Sequence, residues 1–225
     1  MLALFAQSEL SDLIEKVEKG ERLDFDAGVR LMNSQDIMAM GYMANLVRER
    51  KNGNKTYFMV NHQLDYAKFC TDRTNATMLY GDLETTEERI EHLILLRAFQ
   101  DRIGVFLTFS PLSVDLENMQ VEGIMGVGAT TGFEDLKMLA ISRILLDNIA
   151  HIKAFWVMLG HKLAQVSLAF GVDDLDGIVV EERMSCSVGF ETNQAMSKRA
   201  LIHLIQKAGR DAVERDALYR VLNTN

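Results

Sequence analysis

The sequence predicts an α/β protein: a partial (β/α) barrel of the TIM type with a mainly parallel sheet, preceded by a helical segment. Over residues 133–182, helices with one apolar face alternate with short runs of β-branched and aromatic residues. Strands and helices alternate in the same way from residue 75 onward, a spacing that is typical of parallel βαβ units. A closed barrel of this type needs eight strands and about 250 residues. Because only five strands are predicted, the barrel is expected to be incomplete.

The first part of the chain is predicted to be helical. Residues 8–51 hold three segments with apolar residues at helical spacing. The predicted caps of these helices are Ser11, Asp24 and Ser34. We therefore expect a helical segment over residues 1–54 and an incomplete barrel with a C-terminal helix over residues 55–225.

The second part of the chain holds the predicted strands. They cover residues 55–61, 76–80, 105–109, 151–159 and 178–180. A capping-box pattern at Thr85–Glu88 starts the helix between the second and third strands. The acidic run Asp173–Gly177 is predicted to be a turn that leads into the last strand. A final helix from about Ser197 to Ala208 is predicted to end in a short charged tail.

Composition narrows the function classes. The chain has 225 residues, of which 48% are hydrophobic and 25% charged, an ordinary globular composition. Its net charge of −8 argues against binding to nucleic acid or to an anionic membrane surface, since both favour clusters of Lys and Arg. There is neither a signal-peptide pattern nor an apolar stretch near the ~20 residues that span a bilayer. The two cysteines, Cys70 and Cys186, are consistent with a reducing compartment, so a cytoplasmic location is expected.

Acidic residues near the last predicted strand are candidates for a binding site. Asp173, Asp174 and Asp176 would lie at a strand mouth, where they could contact a substrate or a metal; the alternative is an acidic turn with no further role. Glu181 and Glu182 could be a pair of substrate-binding acids, or one buried and one solvated group. We predict that Asp173, Asp176 and Glu181 contact the substrate, and we predict no catalytic residue.

A glycine-rich run at residues 126–132 precedes a predicted helix, which is a suitable place for a phosphate. The glycine spacing is not that of the dinucleotide-binding fingerprint, and no predicted strand leads directly into the run. A flexible loop without a ligand is the alternative, and the spacing favours it.

Long phrases of this sequence identify a family. They are TNATMLYGDLE (74–84), DLKMLAISRILLDN (135–148), HIKAFWVMLGHKLAQVSL (151–168), FGVDDLDGIVVEE (170–182) and VERDALYR (213–220). Together with residues 10–70 they resemble aminofutalosine synthase, a radical S-adenosylmethionine enzyme of the futalosine route to menaquinone. The related cyclase of the pathway has a different phrase in place of DDLDGIVVEE, so the synthase is preferred.

The resemblance implies a (β/α) barrel that binds a [4Fe–4S] cluster, S-adenosylmethionine and a small-molecule substrate. By resemblance, the reaction adds a 5′-deoxyadenosyl radical to a 3-(carboxyvinyloxy)benzoate and releases carbon dioxide. The cluster of such enzymes is held by three thiolates in a C-x3-C-x2-C loop, and its fourth iron stays open for S-adenosylmethionine.

The sequence departs from this pattern at the cluster motif. The phrase NHQLDYAKFC (61–70) resembles the family's phrase before the first thiolate, so Cys70 matches the first ligand. The residues that follow Cys70 resemble a strand much farther along the barrel. Two ligands are therefore missing, with about four β/α units or roughly 120 residues. Cys70 is either a remaining cluster and metal ligand or a free thiol in a loop.

Two functions from different classes follow from this departure. In the first, the chain is an enzyme by descent and retains the family's activity. In the second, it is a non-catalytic remnant or an interaction protein that binds no cluster, and we expect the shortened chain to lack the activity. The absent units would leave an apolar sheet edge uncovered, so self-association through this edge is predicted.

Overall fold

The computed structural model describes residues 3–60, 74–81, 84–113, 130–180 and 195–222. The α-helices within these ranges are α1 (Ser11–Lys19), α2 (Phe25–Asn33), α3 (Ile37–Asn52), α4 (Thr86–Ile103), α5 (Gly132–Leu145), α6 (Trp156–Leu159), α7 (His161–Ser167) and α8 (Lys198–Lys207). The strands are β1 (Lys55–Phe58), β2 (Asn75–Tyr80), β3 (Thr108–Ser113), β4 (His151–Phe155), β5 (Asp174–Asp176), β6 (Ile178–Val180), β7 (Ala195–Ser197) and β8 (Asp211–Glu214).

Six strands form one sheet in the order β2-β3-β4-β5-β1-β8, and every described pair in it is parallel. Strands β6 and β7 form a separate parallel pair. β5 pairs with β1, as the last strand of a barrel pairs with the first, while β8 adds to the other side of β1. The predicted partial barrel with a parallel sheet is therefore confirmed.

The strand register separates a polar from an apolar face of the sheet. Tyr57 and Lys153 are both in register with Asp174, so these three side chains share one face, which we call the inner face. Phe58 and Leu175, which are also in register, point to the opposite face and belong to the hydrophobic core. The helices pack on this apolar side, and residues of α1, α2 and α3 belong to the same core. The predicted domain boundary after residue 54 stays a prediction.

Some predicted helix starts are confirmed and others are wrong. Asp24 accepts a hydrogen bond from Ala27 N at 2.9 Å, and Thr85 forms the predicted capping box of α4. No side chain caps α1, because Ser11 lies inside it as the first helical residue. Asp36 caps α3 in place of Ser34, whose hydroxyl instead accepts a hydrogen bond from Asp36 N at 3.0 Å.

Four predictions downstream are corrected. The strand predicted over residues 151–159 ends at residue 155, and α6 follows it. The strand predicted over residues 105–109 covers Thr108–Ser113. The predicted acidic turn forms β5, because basic side chains pair with its carboxylates. The predicted charged tail forms β8, because it pairs with the side of β1 that β5 leaves free. Cys70, Cys186, Glu181, Glu182 and residues 126–129 lie outside the described residues.

Where the structure describes the chain, it contains no helix long and apolar enough to cross a bilayer.

Candidate functional site

A buried network of ion pairs and hydrogen bonds surrounds Asp173, which directly precedes β5. Asp173 forms an ion pair with Arg143, and neither side chain is exposed. Its second oxygen lies 2.6 Å from His151 Nδ1 and 2.8 Å from Asn52 Nδ2, and Ile152 N donates to its first oxygen at 2.9 Å. Burial lowers the pKa of Arg143, and the Asp173 charge opposes this shift. Asp173 is therefore fully hydrogen-bonded.

The position of Asp173 differs from the strand mouth that the sequence predicts. In a (β/α) barrel, ligands bind at the carboxyl-terminal ends of the strands. Asp173 precedes β5 and so lies at the opposite edge of the sheet. The contacts of Asp173 indicate a structural role, in which its carboxylate joins α3, α5 and β4.

Asp174, the first residue of β5, forms a second buried ion pair. Arg215, which directly follows β8, places Nη2 at 2.5 Å from Asp174 Oδ2 and Nε at 3.3 Å from Oδ1. Burial alone would lower the pKa of Arg215, but the charge of Asp174 and its hydrogen bond, together with the charges of Tyr219 and Asp176, outweigh burial and raise the pKa of the guanidinium. The Tyr219 hydroxyl also donates to Asp174. The C-terminal segment is thereby fixed to the inner face.

The carboxyl-terminal end of β5 carries Asp176. Its Oδ2 lies 3.0 Å from the ammonium nitrogen of Lys153, which comes from the neighbouring strand β4. Gly177 N donates to Asp176 Oδ1 at 2.8 Å. The Lys153 and Asp176 side chains are only 7% and 4% exposed. Water therefore screens the attraction between their charges very little. Of the predicted substrate residues, Asp176 is the one that the structure describes at the expected edge.

The residues around this pair explain its position. A Cβ atom on Gly177 would lie 2.1 Å from Trp156 Cε2, so only glycine allows the indole to pack against the chain just after Asp176. The Trp156 side chain is buried, and its Nε1 has no hydrogen-bond partner among the described residues. On the inner face, Ser110 of β3 donates to Oδ1 of Asn75, the first residue of β2, at 3.1 Å. The Trp156 indole, with its unpaired donor, thus packs against the residue that follows Asp176.

A further polar cluster lies where β2 ends and α5 begins. The Tyr80 hydroxyl donates to Asp135 Oδ1 at 2.6 Å, and Thr130 Oγ1 donates to the same oxygen at 2.8 Å. Burial raises the pKa of Asp135, although both hydrogen bonds oppose the shift. The cluster holds the start of α5 against the end of β2.

Sequence reasoning missed several of these residues. Lys153 was detectable, because a lysine inside the apolar run HIKAFWV signals a buried charge that needs a partner. No local signal marks Arg143, Arg215 or Tyr219, since their partners are distant in the sequence. Among the described residues, no group of three or more His, Cys, Asp or Glu side chains is arranged to hold a metal ion.

The chain is similar to several curated proteins over about two thirds of its length. An aminodeoxyfutalosine synthase of Thermus thermophilus is 49% identical over 148 residues, which are 65% of this chain and 40% of that protein. A protein of the same name from Streptomyces coelicolor is 39% identical, over 67% of this chain and 41% of that protein. A 5-amino-6-(D-ribitylamino)uracil–L-tyrosine 4-hydroxyphenyl transferase of Methanococcoides burtonii is 43% identical, over 66% and 43%. The chain thus spans about two fifths of the length of these relatives.

Solved structures support the fold. The FeFe-hydrogenase maturase HydG of Carboxydothermus hydrogenoformans aligns with a TM-score of 0.63 over 95% of this chain and 81% of that one, at 11% identity. Another HydG structure aligns with a TM-score of 0.61 at 10% identity, over 93% of this chain and 76% of that one. At such low identity the likeness concerns the fold alone.

One family model matches this sequence over more than half of its length. The model describes the CofH/MqnC C-terminal region and covers residues 104–225, which include β3, β4, β5 and β8. The match agrees with the similarity to aminodeoxyfutalosine synthases and confirms the resemblance inferred from the sequence phrases. The chain therefore belongs to the CofH/MqnC family.

Proposed function

We propose that this chain descends from aminofutalosine synthases and binds a small aromatic carboxylate such as 3-(carboxyvinyloxy)benzoate, without itself performing radical chemistry. Descent is supported by its similarity to proteins named aminodeoxyfutalosine synthase. The proposal for binding rests on one observation, the buried Lys153–Asp176 pair at the carboxyl-terminal edge of the sheet. A lysine ammonium there is a suitable partner for a ligand carboxylate.

Lys153 and Asp176 would have distinct roles in this site. Lys153 would bind the ligand carboxylate, and Asp176 would hold the ammonium in place from the neighbouring strand at 3.0 Å. The unpaired Trp156 Nε1 is a donor that a polar ligand atom could satisfy. Glu181 stays a predicted substrate contact.

The residues of the chain do not fit the family's [4Fe–4S] cluster. Three thiolates hold such a cluster while leaving one iron open, and the sequence contains only Cys70 and Cys186. The described residues offer no alternative set of metal ligands. We therefore assign no reaction step to a cluster or to S-adenosylmethionine in this chain, and Cys70 is proposed to be a free thiol.

Anaerobic reconstitution tests the absence of radical chemistry. The wild-type chain and a Cys70→Ala control are treated with iron, sulfide, a reductant and S-adenosylmethionine, and 5′-deoxyadenosine is measured. We expect no more 5′-deoxyadenosine from the wild type than from the control. Formation above the control would show that the chain assembles a working cluster, and the proposal would be wrong.

An interaction protein is the second candidate function, and the exposed side of α4 favours it. Leu95, Phe99 and Ile103 recur every fourth residue and are 62%, 45% and 52% exposed. β2 is also a terminal strand of the described sheet, so self-association through that edge stays a proposal. Light scattering on the wild type and a Leu95→Glu variant would separate the two surfaces. If the variant no longer assembles, the exposed side of α4 is the contact surface. If the assembly is unchanged, the edge at β2 is favoured. A monomeric wild type would contradict both surfaces.

A further inference from the structure

The chain after β8 folds back on itself as a small hairpin. Arg215 and Val221 form an antiparallel bridge, and Leu222 N donates to Glu214 O at 2.9 Å. Asp216 stabilises the turn, because its Oδ1 accepts hydrogen bonds from Leu218 N at 2.8 Å and Arg220 N at 2.9 Å. We call residues 211–222 the carboxy-terminal hairpin.

The hairpin inserts one aromatic ring into the inner face. The Tyr219 ring stacks on the His151 ring with 4.2 Å between centroids and 7° between planes. Arg215 Cζ lies 3.9 Å from the Tyr219 centroid, and two groups so close to one ring must occupy its opposite faces. The Tyr219 hydroxyl donates to Asp174, and the Tyr57 ring meets His151 edge-on at 4.9 Å. These groups form a slot around a phenol.

The slot is the main attachment of the hairpin turn. The apolar residues Leu218, Val221 and Leu222 are 56%, 53% and 44% exposed, so they contribute little burial. Among the described residues, Tyr219 is the one residue other than glycine with a positive φ, at 59°. That conformation is unfavourable for a residue with a Cβ atom. The contacts of the Tyr219 ring must therefore compensate for both the small apolar burial of the turn and the unfavourable φ angle.

We propose that the slot between His151 and Arg215 is a binding site for phenols, which Tyr219 occupies as an internal ligand that latches the hairpin to the inner face. The imidazole and the guanidinium both favour a flat aromatic ring. Asp174 accepts a hydrogen bond from the ring substituent, so the ligand must carry a donor. Burial and the Asp174 charge raise the pKa of Tyr219, so the neutral phenol is the form that is held.

The same chemistry excludes aromatic carboxylates from this slot. A benzoate would place its negative charge against the buried Asp174 carboxylate, which the slot cannot accommodate. The proposed site therefore differs in ligand class from the Lys153 site, and it does not depend on the proposed function. Release of Tyr219 by a competing phenol would free the turn of the hairpin from the inner face, while β8 stays paired with β1.

A Tyr219→Gly variant tests the slot, because it empties the space and removes the backbone strain. Thermal unfolding is measured with 4-methylphenol and, separately, with benzoate. We expect 4-methylphenol near saturation to raise the Tm of the variant by about 2–4 °C and benzoate to have no such effect. The wild type and a Tyr219→Phe variant, whose rings fill the slot, should show no rise.

Three results would overturn the proposal: no rise in the Tyr219→Gly variant, an equal rise with benzoate, or an equal rise in Tyr219→Phe. If Tyr219→Gly does not fold alone, it is refolded from urea with each compound. Recovery of folded protein with 4-methylphenol but not with benzoate would then support the slot. Failure with both compounds would contradict it, provided that Tyr219→Phe refolds under the same conditions.

Discussion

Two carboxylates at the two ends of β5 illustrate how one short strand serves two purposes. Asp173 just before the strand contacts Arg143, His151, Asn52 and a backbone amide and is fully buried. Asp176 at the strand's end pairs with Lys153, whose side chain is 7% exposed. The first carboxylate joins elements of the fold, whereas the second lies at the edge where barrels bind ligands.

The difference between the two ends teaches how to separate structural charges from functional ones. All three aspartates of this run are buried, so burial alone does not distinguish them. What distinguishes them is which edge of the sheet they occupy and whether their partners come from the supporting helices. Asp173 is paired from α5 and α3, whereas Asp176 is paired with Lys153 across the sheet.

The largest expected effect is that of Asp173→Ala. It leaves the Arg143 guanidinium buried without its carboxylate, which should lower the free energy of unfolding by about 3–5 kcal/mol. Asp176→Asn should lower it by only about 1–2 kcal/mol, because Lys153 can extend its ammonium towards the strand mouth. Urea denaturation measures both values. Equal losses in the two variants would remove the distinction between the two ends.

A glycine comparison tests the packing beside the candidate site. Gly177→Ala would force Cβ to within 2.1 Å of Trp156, so a loss of about 3 kcal/mol in the free energy of unfolding is expected. Gly20→Ala is the matched control, because Gly20 has φ +78° and no atom within 4 Å of the added Cβ. Only backbone strain of about 1 kcal/mol is expected there. The same urea titration decides, and a smaller loss for Gly177→Ala would contradict the tight Trp156 contact.

The smallest effects concern two carboxylates whose pKa values shift in opposite directions. Burial raises the pKa of Asp135, so its contribution to stability is present at low pH and is lost as the pH rises through the raised pKa. Hydrogen bonds from Arg22 and Asn148 lower the pKa of Asp101 to about 2, so its contribution is present above the ordinary pKa of about 4 and is lost as the pH falls towards 2.

The midpoint of urea unfolding, measured from pH 2.5 to pH 7, checks both signs. As the pH rises, the midpoint of the wild type should fall relative to that of Asp135→Asn. Over the same range, the midpoint of the wild type should rise relative to that of Asp101→Asn. Parallel curves for the two variants would mean that these environments do not act as described.

Local patterns in the sequence predict most of this fold. The Thr85 capping box needs only residues 85–88, and the apolar spacing of α5 is visible within one helix. β5 could not be predicted in this way, because Asp and Gly favour turns in isolation. Its acidic residues join a strand only because Lys153 and Arg215 neutralise them, and these partners lie 23 and 41 residues away from them.

The C-terminal region shows the same limit. Residues 211–214 form a strand in parallel register with β1, which lies more than 150 residues earlier in the chain. The sequence therefore predicts only a charged tail there. For the candidate site, local reasoning finds Asp176 but not its pairing with Lys153, since the pairing depends on the register of β4 and β5.

The most direct test of the proposed site is titration calorimetry with 3-(carboxyvinyloxy)benzoate. Lys153→Met is compared with Lys137→Met, a control that removes another buried lysine, whose ammonium donates to Met32 O at 2.9 Å within the helical layer. We expect the wild type and Lys137→Met to bind equally and Lys153→Met to bind at least about tenfold more weakly. No binding by the folded wild type, or equal affinity in all three proteins, would contradict a binding site at the carboxyl-terminal end of β5.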